Sequence, residues 1–254
     1  MIELDKIYNE DCLEGMKRIP DGMVDAIITD LPYGTTACAW DAVIPFEPMW
    51  NAFKRIVKPK GNIVLFASGR FMFELYASQP NLYRYDLIWQ KSRCGSPLTA
   101  PYMPLKMHEH ILIFGRSGAV YNPQMTTGGT PYKKDYDHAY GIKNNHKYGI
   151  KGVHTDNHGE RQPISVIKFD QKWRRQDQVH PTQKPVDLLR YLVLTYSNEG
   201  GGDSGRYNGQ RHDRHRLHQG ASALHRLRDQ QGIFRQGREA YQAGTGATDV
   251  ILIY

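Results

Sequence analysis

The segment TDLPYG, Thr29 to Gly34, sets the Asp30 carboxylate at the end of an apolar run and follows it with Leu31, Pro32, Tyr33 and Gly34. A carboxylate so placed can meet a ligand, because ligands of open α/β sheets lie beyond the carboxyl ends of the strands. An ordinary strand-to-loop turn accounts for the same residues, since Asp, Pro and Gly all favour turns. The triplet HEH at His108 to His110 puts two imidazoles on one strand face, as metal ligands would be. No third ligand lies nearby in the sequence, so no metal is expected. Cys12, Cys38 and Cys94 lack CxxC spacing, which leaves neither a zinc site nor a disulfide framework and agrees with a reducing compartment. They are read as small buried residues.

The elements that must hold these groups are legible in the pattern. VDAIITD, ending at Asp30, is a short apolar run of the kind found in buried strands. Before it, NEDCLEGMKRIP carries Leu13, Met16 and Ile19 on one side of a short helix. After it, FEPMWNAFKRIVKPKG spaces Phe46, Met49, Trp50, Phe53 and Val57 for a helix ending near Pro59 and Gly61. NIVLFAS, YRYDLIWQK and HEHILIFGR read as three further strands. HPTQKPVDLLRYLVLTYSNEG reads as a turn and a helix from about Pro185, with Val186, Leu189, Leu192 and Val193 buried. Alternation of strands and helices predicts an α/β fold with a mostly parallel, doubly wound sheet. From about Arg116 to Asp177 the apolar period dissolves into Tyr, Lys, His, Asn and Gly. A long mobile loop and a nucleic-acid contact module fit that composition equally well.

Composition bounds the function classes. The 254 residues allow one large domain, or a domain with an inserted module. No stretch approaches the roughly 18 to 20 apolar residues of a membrane span, and the first residues carry no secretory pattern, so the expected place is the cytoplasm, away from membranes. The net charge of +7 suggests an acidic partner. Its distribution weakens that inference, because residues 201–254 hold 8 basic against 5 acidic side chains and the preceding 200 hold 25 against 21.

Together, NEDCLEGMKRIPDGMVDAIITDLPYGTTACAWD, NIVLFAS, YDLIWQKS and HPTQKPVDLLRYL resemble the DNA amino-methyltransferases of the group whose catalytic motif precedes the cofactor motif. The resemblance covers residues 1 to about 200. It implies a Rossmann-like sheet and transfer of a methyl group from S-adenosylmethionine to adenine N6 or cytosine N4 in double-stranded DNA, and it leaves room for a restriction nuclease as companion. By the resemblance, the Asp30 carboxylate and the Leu31 backbone carbonyl accept the two N–H bonds of the base amine, Pro32 holds the turn and Tyr33 stacks on the flipped base. Leu31 stands where the family more often has proline, a change a carbonyl tolerates. The initial Asp favours adenine. Asp11 matches the position that lies against the cofactor's adenine and is equally well placed as a helix N-cap. His180, Thr182 and Lys184 match the loop lining the cofactor's methionine end. Lys91 and Arg93 fall on the expected target-base side, where they touch phosphate or form a solvated pair.

Residues 1–115 are thus expected to form the catalytic half, 116–177 the recognition region and 178–200 the start of the cofactor-binding half. The remainder, 201–254, departs from the pattern: it carries eight arginines and no lysine, and the glycine-rich cofactor loop is missing. Reading each codon from its second base, Gln210 to His215 permits Ser-Gly-Thr-Thr-Gly-Ile, and Leu224 to Arg228 permits Phe-Ile-Gly-Leu-Glu. These are the two missing segments, in order. The tail therefore reads as frameshifted from about Gly202, the alternative being a genuine basic arm for nucleic acid. A frameshift predicts a sheet incomplete at its C-terminal strands, with weak or absent cofactor binding. The functional expectation is an adenine N6 methyltransferase impaired by this tail, the alternatives being a cytosine N4 enzyme or an inactive DNA-binding remnant.

Overall fold

The computed structural model describes residues 6–35, 41–95, 97–136, 153–170, 184–198, 233–237 and 250–253. Their elements run β1 (Lys6–Asn9), α1 (Cys12–Lys17), β2 (Val24–Asp30), α2 (Phe46–Ile56), β3 (Val57–Ala67), α3 (Arg70–Ser78), β4 (Tyr83–Gln90) and β5 (His108–Gly115). β6 (Tyr132–Tyr136), β7 (Val153–Asn157), β8 (Val166–Lys168), α4 (Val186–Tyr196), β9 (Ile233–Gly237) and β10 (Val250–Ile253) follow. The expected α/β class holds. Among the described residues no helix is long and apolar enough to cross a membrane.

The large sheet has the order β1-β9-β10-β2-β3-β5-β4-β8. It is more mixed than the alternating pattern predicts. β10, β2 and β3 run parallel, as do β4 and β8, while β5 is antiparallel to both β3 and β4. The reason lies in the connection: β4 returns as β5 through a loop, not a crossover helix, and only a crossover restores parallel direction. The expectation of a sheet incomplete at its C-terminal strands also needs correction, because β9 and β10 occupy the two places between β1 and β2. Val250–Ile253 is a short apolar run rich in β-branched residues, which is what an open parallel edge of β2 accepts.

Strand alternation sorts the core into two layers. Ile27, Ile63, Leu65, Leu112 and Phe114 face one side, where Met16, Met49, Trp50, Phe53, Ile56, Phe71 and Leu75 cover them from α1, α2 and α3. Ala26, Ile28, Val64, Phe66, Trp89, Ile111 and Ile113 face the other, covered by Leu188, Leu189, Leu192 and Tyr196 of α4. Covering on both faces is why these strands read as continuous apolar runs. α2 forms as expected, with Glu47 in its first turn and Lys54 and Arg55 in its last complementing the helix dipole. It stops at Ile56, three residues short of the expected Pro59, since Val57 is already extended. β3 starts before the expected Asn62, its entry absorbed by a register shift against β2. α4 buries Leu188, Leu189, Leu192, Thr195 and Tyr196, so its face is rotated from the expected one and Val186 and Val193 are only half-buried. Asn62 locks this helix to the sheet, its side-chain amide donating to the carbonyls of Tyr196 (2.8 Å) and Val120 (2.9 Å).

Pro123–Ile164 forms a separate compact unit. Its frame is the antiparallel ribbon of β6 and β7, with Tyr132 opposite Asn157 and Tyr136 opposite Val153. Arg161 staples the ribbon's open end: its guanidinium donates to Asn157 Oδ1 (2.6 Å) and to the Thr130 carbonyl (2.5 Å) and lies over the Tyr132 ring. Of the region expected to contact DNA, residues 137–152 and 171–177 lie outside the described residues.

Candidate active site

β2 delivers Asp30 to the carboxyl edge of the sheet on the same face as Ala26 and Ile28, because side chains repeat every second residue. Asp30 pairs in register with Phe66 of β3, and Glu109 of β5 pairs with Trp89 of β4. Glu109 shares the face of Ile111 and Ile113, so both carboxylates overlook the layer that α4 covers. Lys184, one residue before the Pro185 cap of α4, is 6 % exposed and fills the space between them. Its Nζ lies 2.9 Å from Asp30 Oδ2 and 2.8 Å from Glu109 Oε2, above the rings of Phe66 (4.9 Å) and Trp89 (5.9 Å). The other Glu109 oxygen is paired with Lys91, whose ammonium also lies over Trp89.

The electrostatics follow from this placement. Burial pushes the Lys184 amine down, but Asp30 and Glu109 outweigh it and hold the ammonium above its ordinary value. Burial pushes Glu109 up, but Lys184 and Lys91 outweigh it and keep the carboxyl below the usual range. Acidic and basic side chains thus alternate in a row of contacts, Asp30, Lys184, Glu109, Lys91, at the sheet edge. Burial pushes the Tyr33 hydroxyl far up, with Asp30 and Glu109 adding to it. It is therefore a fixed donor, and it donates a hydrogen bond to Asp30 Oδ1 at 2.8 Å. The Tyr33 ring stacks on Phe71 of α3 (centroids 5.0 Å apart, planes at 25°).

The loop after Asp30 is shaped by Asp41, which sequence reasoning missed. Its Oδ1 accepts the backbone N–H groups of Tyr33 (2.8 Å) and Gly34 (2.9 Å), and its Oδ2 that of Thr35 (2.8 Å). Three successive N–H groups converging on one anion form a nest, filled here by the chain's own carboxylate. Gly34 has φ +67, and a Cβ there would stand 2.9 Å from Val43 Cγ2, so only glycine fits without strain. Asp41→Ala leaves three part-buried donors unsatisfied and is expected to cost about 2 kcal/mol of stability, read as a lower urea midpoint. An unchanged midpoint would show that the loop keeps its shape without Asp41.

Asp30, Leu31, Pro32, Tyr33, Lys184 and Lys91 therefore gather at one sheet edge. Asp11 follows β1 on the same edge, because the two antiparallel steps through β9 and β10 return β1 to the direction of β2. It caps α1, its Oδ1 accepting from Leu13 (2.8 Å) and Glu14 (3.2 Å). Arg93 is exposed on the loop between β4 and β5. His180 and Thr182 lie outside the described residues. Glu109 is a second residue that the sequence reading passed over; it stands between His108 and His110, and its buried partner is far along the chain. Among the described residues no group of three His, Cys, Asp or Glu side chains could hold a metal, and His110 is paired with Asp86 at 2.8 Å. Of the cysteines, Cys12 is half-buried, its thiol pushed up to about 11 by burial and by Asp11. Cys94 corrects the expectation of buried cysteines, since the β4–β5 loop exposes it; Cys38 lies outside the described residues.

Comparison with known proteins places this edge in context. The chain resembles the type II methyltransferase M.HpaI of Haemophilus parainfluenzae at 27% identity over 208 residues, covering 77% of this chain and 60% of that protein. It resembles M.BglII of Bacillus subtilis at 26% identity over 214 residues, covering 76% of this chain and 56% of that one. The chain thus spans under two thirds of the length of these relatives. Among solved structures, the M1.HpyAVI complex with SAM aligns at 19% identity with a TM-score of 0.44, covering 79% of this chain and 80% of that one. The model of the N6/N4 DNA methylase family matches residues 24–203, a span that holds Asp30, Glu109 and Lys184, and the chain belongs to that family.

Proposed function

We propose that this protein methylates the N6 amine of adenine in double-stranded DNA, with S-adenosylmethionine as the methyl donor. The observation that carries the reading is Asp30: an acceptor at the carboxyl edge, held by Lys184 and facing a polar donor, the Tyr33 hydroxyl. An exocyclic base amine is a weak nucleophile because its lone pair is delocalised into the ring. Acceptors on both N–H bonds favour the tetrahedral nitrogen that can attack in line. Asp30 Oδ1 supplies one acceptor and the Leu31 carbonyl, next along the chain, the other. Tyr33 must give up its bond to Oδ1 as the amine arrives, which frees its ring to stack on the extruded base. Lys184 keeps Oδ2 and so holds the carboxylate in place during the exchange.

The donor set at this edge suits a cationic, adenine-bearing cofactor. Asp11 is exposed there and uses only Oδ1 in its two capping bonds, and Asp30 follows β2 on the same edge. S-adenosylmethionine supplies an electrophilic methyl group on a sulfonium when bound. His180, Thr182 and Lys184 are the loop residues assigned to its methionine end. The absent glycine-rich loop predicts weak affinity, and a titration giving a dissociation constant in the low micromolar range would refute that. Residues 116–177 are assigned to DNA recognition, with Lys91 and Arg93 on the target-base side.

The test is to incubate the full chain with unmethylated phage DNA and methyl-labelled S-adenosylmethionine, digest the DNA and identify the labelled nucleoside. N6-methyladenine supports the reading. N4-methylcytosine replaces the base, and DNA binding without label makes the chain an inactive remnant. Counting the bases that encode the run Gly200 to Gly202 tests the frameshift directly.

A further inference from the structure

The loop from Lys91 to Met107 is an unusual surface for a stable fold. It leaves the sheet where β4 ends and returns where β5 begins. Since β4 runs parallel to β3 and β2, this is the edge that carries Asp30. Its base continues the ladder, with the Lys91 N–H donating to the Met107 carbonyl at 2.8 Å and the Gly95 N–H to the Lys106 carbonyl at 3.4 Å. Its tip is built, too: a 3-10 turn at Pro97–Thr99, with the Tyr102 and Met103 N–H groups both donating to the Thr99 carbonyl. Yet this ordered tip holds its largest apolar side chains outward, with Leu98 88 %, Tyr102 84 % and Met103 58 % exposed. From Lys91 to His108 the segment contains Lys91, Arg93 and Lys106 and no acidic residue. Lys91 is held by Glu109, and Lys106, though exposed, donates to Ser68 Oγ at 2.7 Å; Arg93 is a second exposed cation, at the loop's root.

An apolar tip on a cationic stem matches a partner that is anionic outside and apolar within, which describes the stacked bases of a duplex between two phosphate backbones. We propose that this loop is a wedge that enters the DNA stack beside the target, Leu98 and Tyr102 filling the space that the extruded base leaves and Arg93 meeting the adjoining phosphate. The assignment rests on the DNA substrate proposed above. It adds what the site at Asp30 lacks, a device that opens the stack.

Levering an intact stack apart costs free energy that a duplex already missing a nucleotide does not charge. The experiment measures binding of the full chain to a fluorescein-labelled 30-base-pair duplex of mixed sequence and to the same duplex with a central one-nucleotide gap. It needs neither the recognition sequence nor methyl transfer. The wild-type chain is expected to bind the gapped duplex about tenfold more tightly. In the Leu98→Ala/Tyr102→Ala variant that ratio falls to about one, whereas Arg93→Ala weakens both complexes and keeps the ratio. Equal affinity of the wild-type chain for the two duplexes, or a ratio unchanged in the double variant, overturns the wedge while leaving the DNA reading intact. Failure to bind either duplex overturns both.

Discussion

Replacing Lys184 by methionine is expected to destabilise the protein by about 3 kcal/mol, the largest effect of any single change at this edge. Methionine fills a similar volume over Phe66 and Trp89, so little packing is lost. What is lost is the cation shared by Asp30 and Glu109. Among the described residues, Glu109 keeps Lys91 and Asp30 keeps the neutral Tyr33 hydroxyl. Two mostly buried carboxylates then face each other without the ammonium that bridged them. The pH dependence distinguishes this from simple loss of packing. In the wild type the folded Glu109 carboxyl lies below its ordinary 4.5, so its contribution is complete above that value and is lost only as pH falls through the folded one. The folded Lys184 ammonium lies above its ordinary 10.5, so its contribution is complete below that value and is lost as pH rises through the folded one. Stability from this row is therefore flat across neutral pH. In Lys184→Met only Lys91 opposes the effect of burial on Glu109, whose carboxyl then favours the protonated form, and the melting temperature should fall as pH rises from 4 to 7. A parallel drop at every pH would mean the residue matters only as filler.

Asp30→Asn is expected to leave the fold nearly intact and to reduce methyl transfer by at least about 100-fold. The side chain keeps its shape, and its carbonyl oxygen can still accept from Tyr33 or from Lys184, but it cannot hold both charged and neutral donors as the carboxylate does. Lys184 retains Glu109 as a partner, which limits the cost to stability. In transfer, the lost acceptor is the one that draws an amine N–H away from the ring plane. The effect should therefore fall on kcat more than on DNA binding, because the acceptor acts mainly when the nitrogen becomes tetrahedral. Retention of transfer at the wild-type rate would remove Asp30 from the reacting centre. Tyr33→Phe is the informative partner. It deletes the hydroxyl that occupies Asp30 Oδ1 while keeping a stacking ring, so transfer should be preserved far better than in Asp30→Asn.

What local pattern carries was readable in advance. β2, β4 and β5 fall where apolar runs end in polar turns, and α2 follows its spacing of Met49, Trp50 and Phe53. α3 escaped, because Phe71, Met72, Phe73, Leu75 and Tyr76 surround it with apolar residues, two of them exposed, so that no face stands out. The mixed direction of the sheet escaped for another reason: a strand's sequence records that it is buried, not which way its neighbours run.

The motif TDLPYG and the loop before α4 identify, from sequence alone, the segments that meet at the candidate site, because a strand end, a turn and a helix start are local events written in adjacent residues. The partnership of Lys184 with Asp30 and Glu109, and the capture of the Tyr33, Gly34 and Thr35 amides by Asp41, belong to tertiary structure. Each joins groups that the chain separates, and a charge becomes decisive only once folding has removed the water that would otherwise solvate it. Glu109 shows the difference most plainly: in sequence it is one polar residue between two histidines, and in the fold it anchors the buried cation that pairs with Asp30.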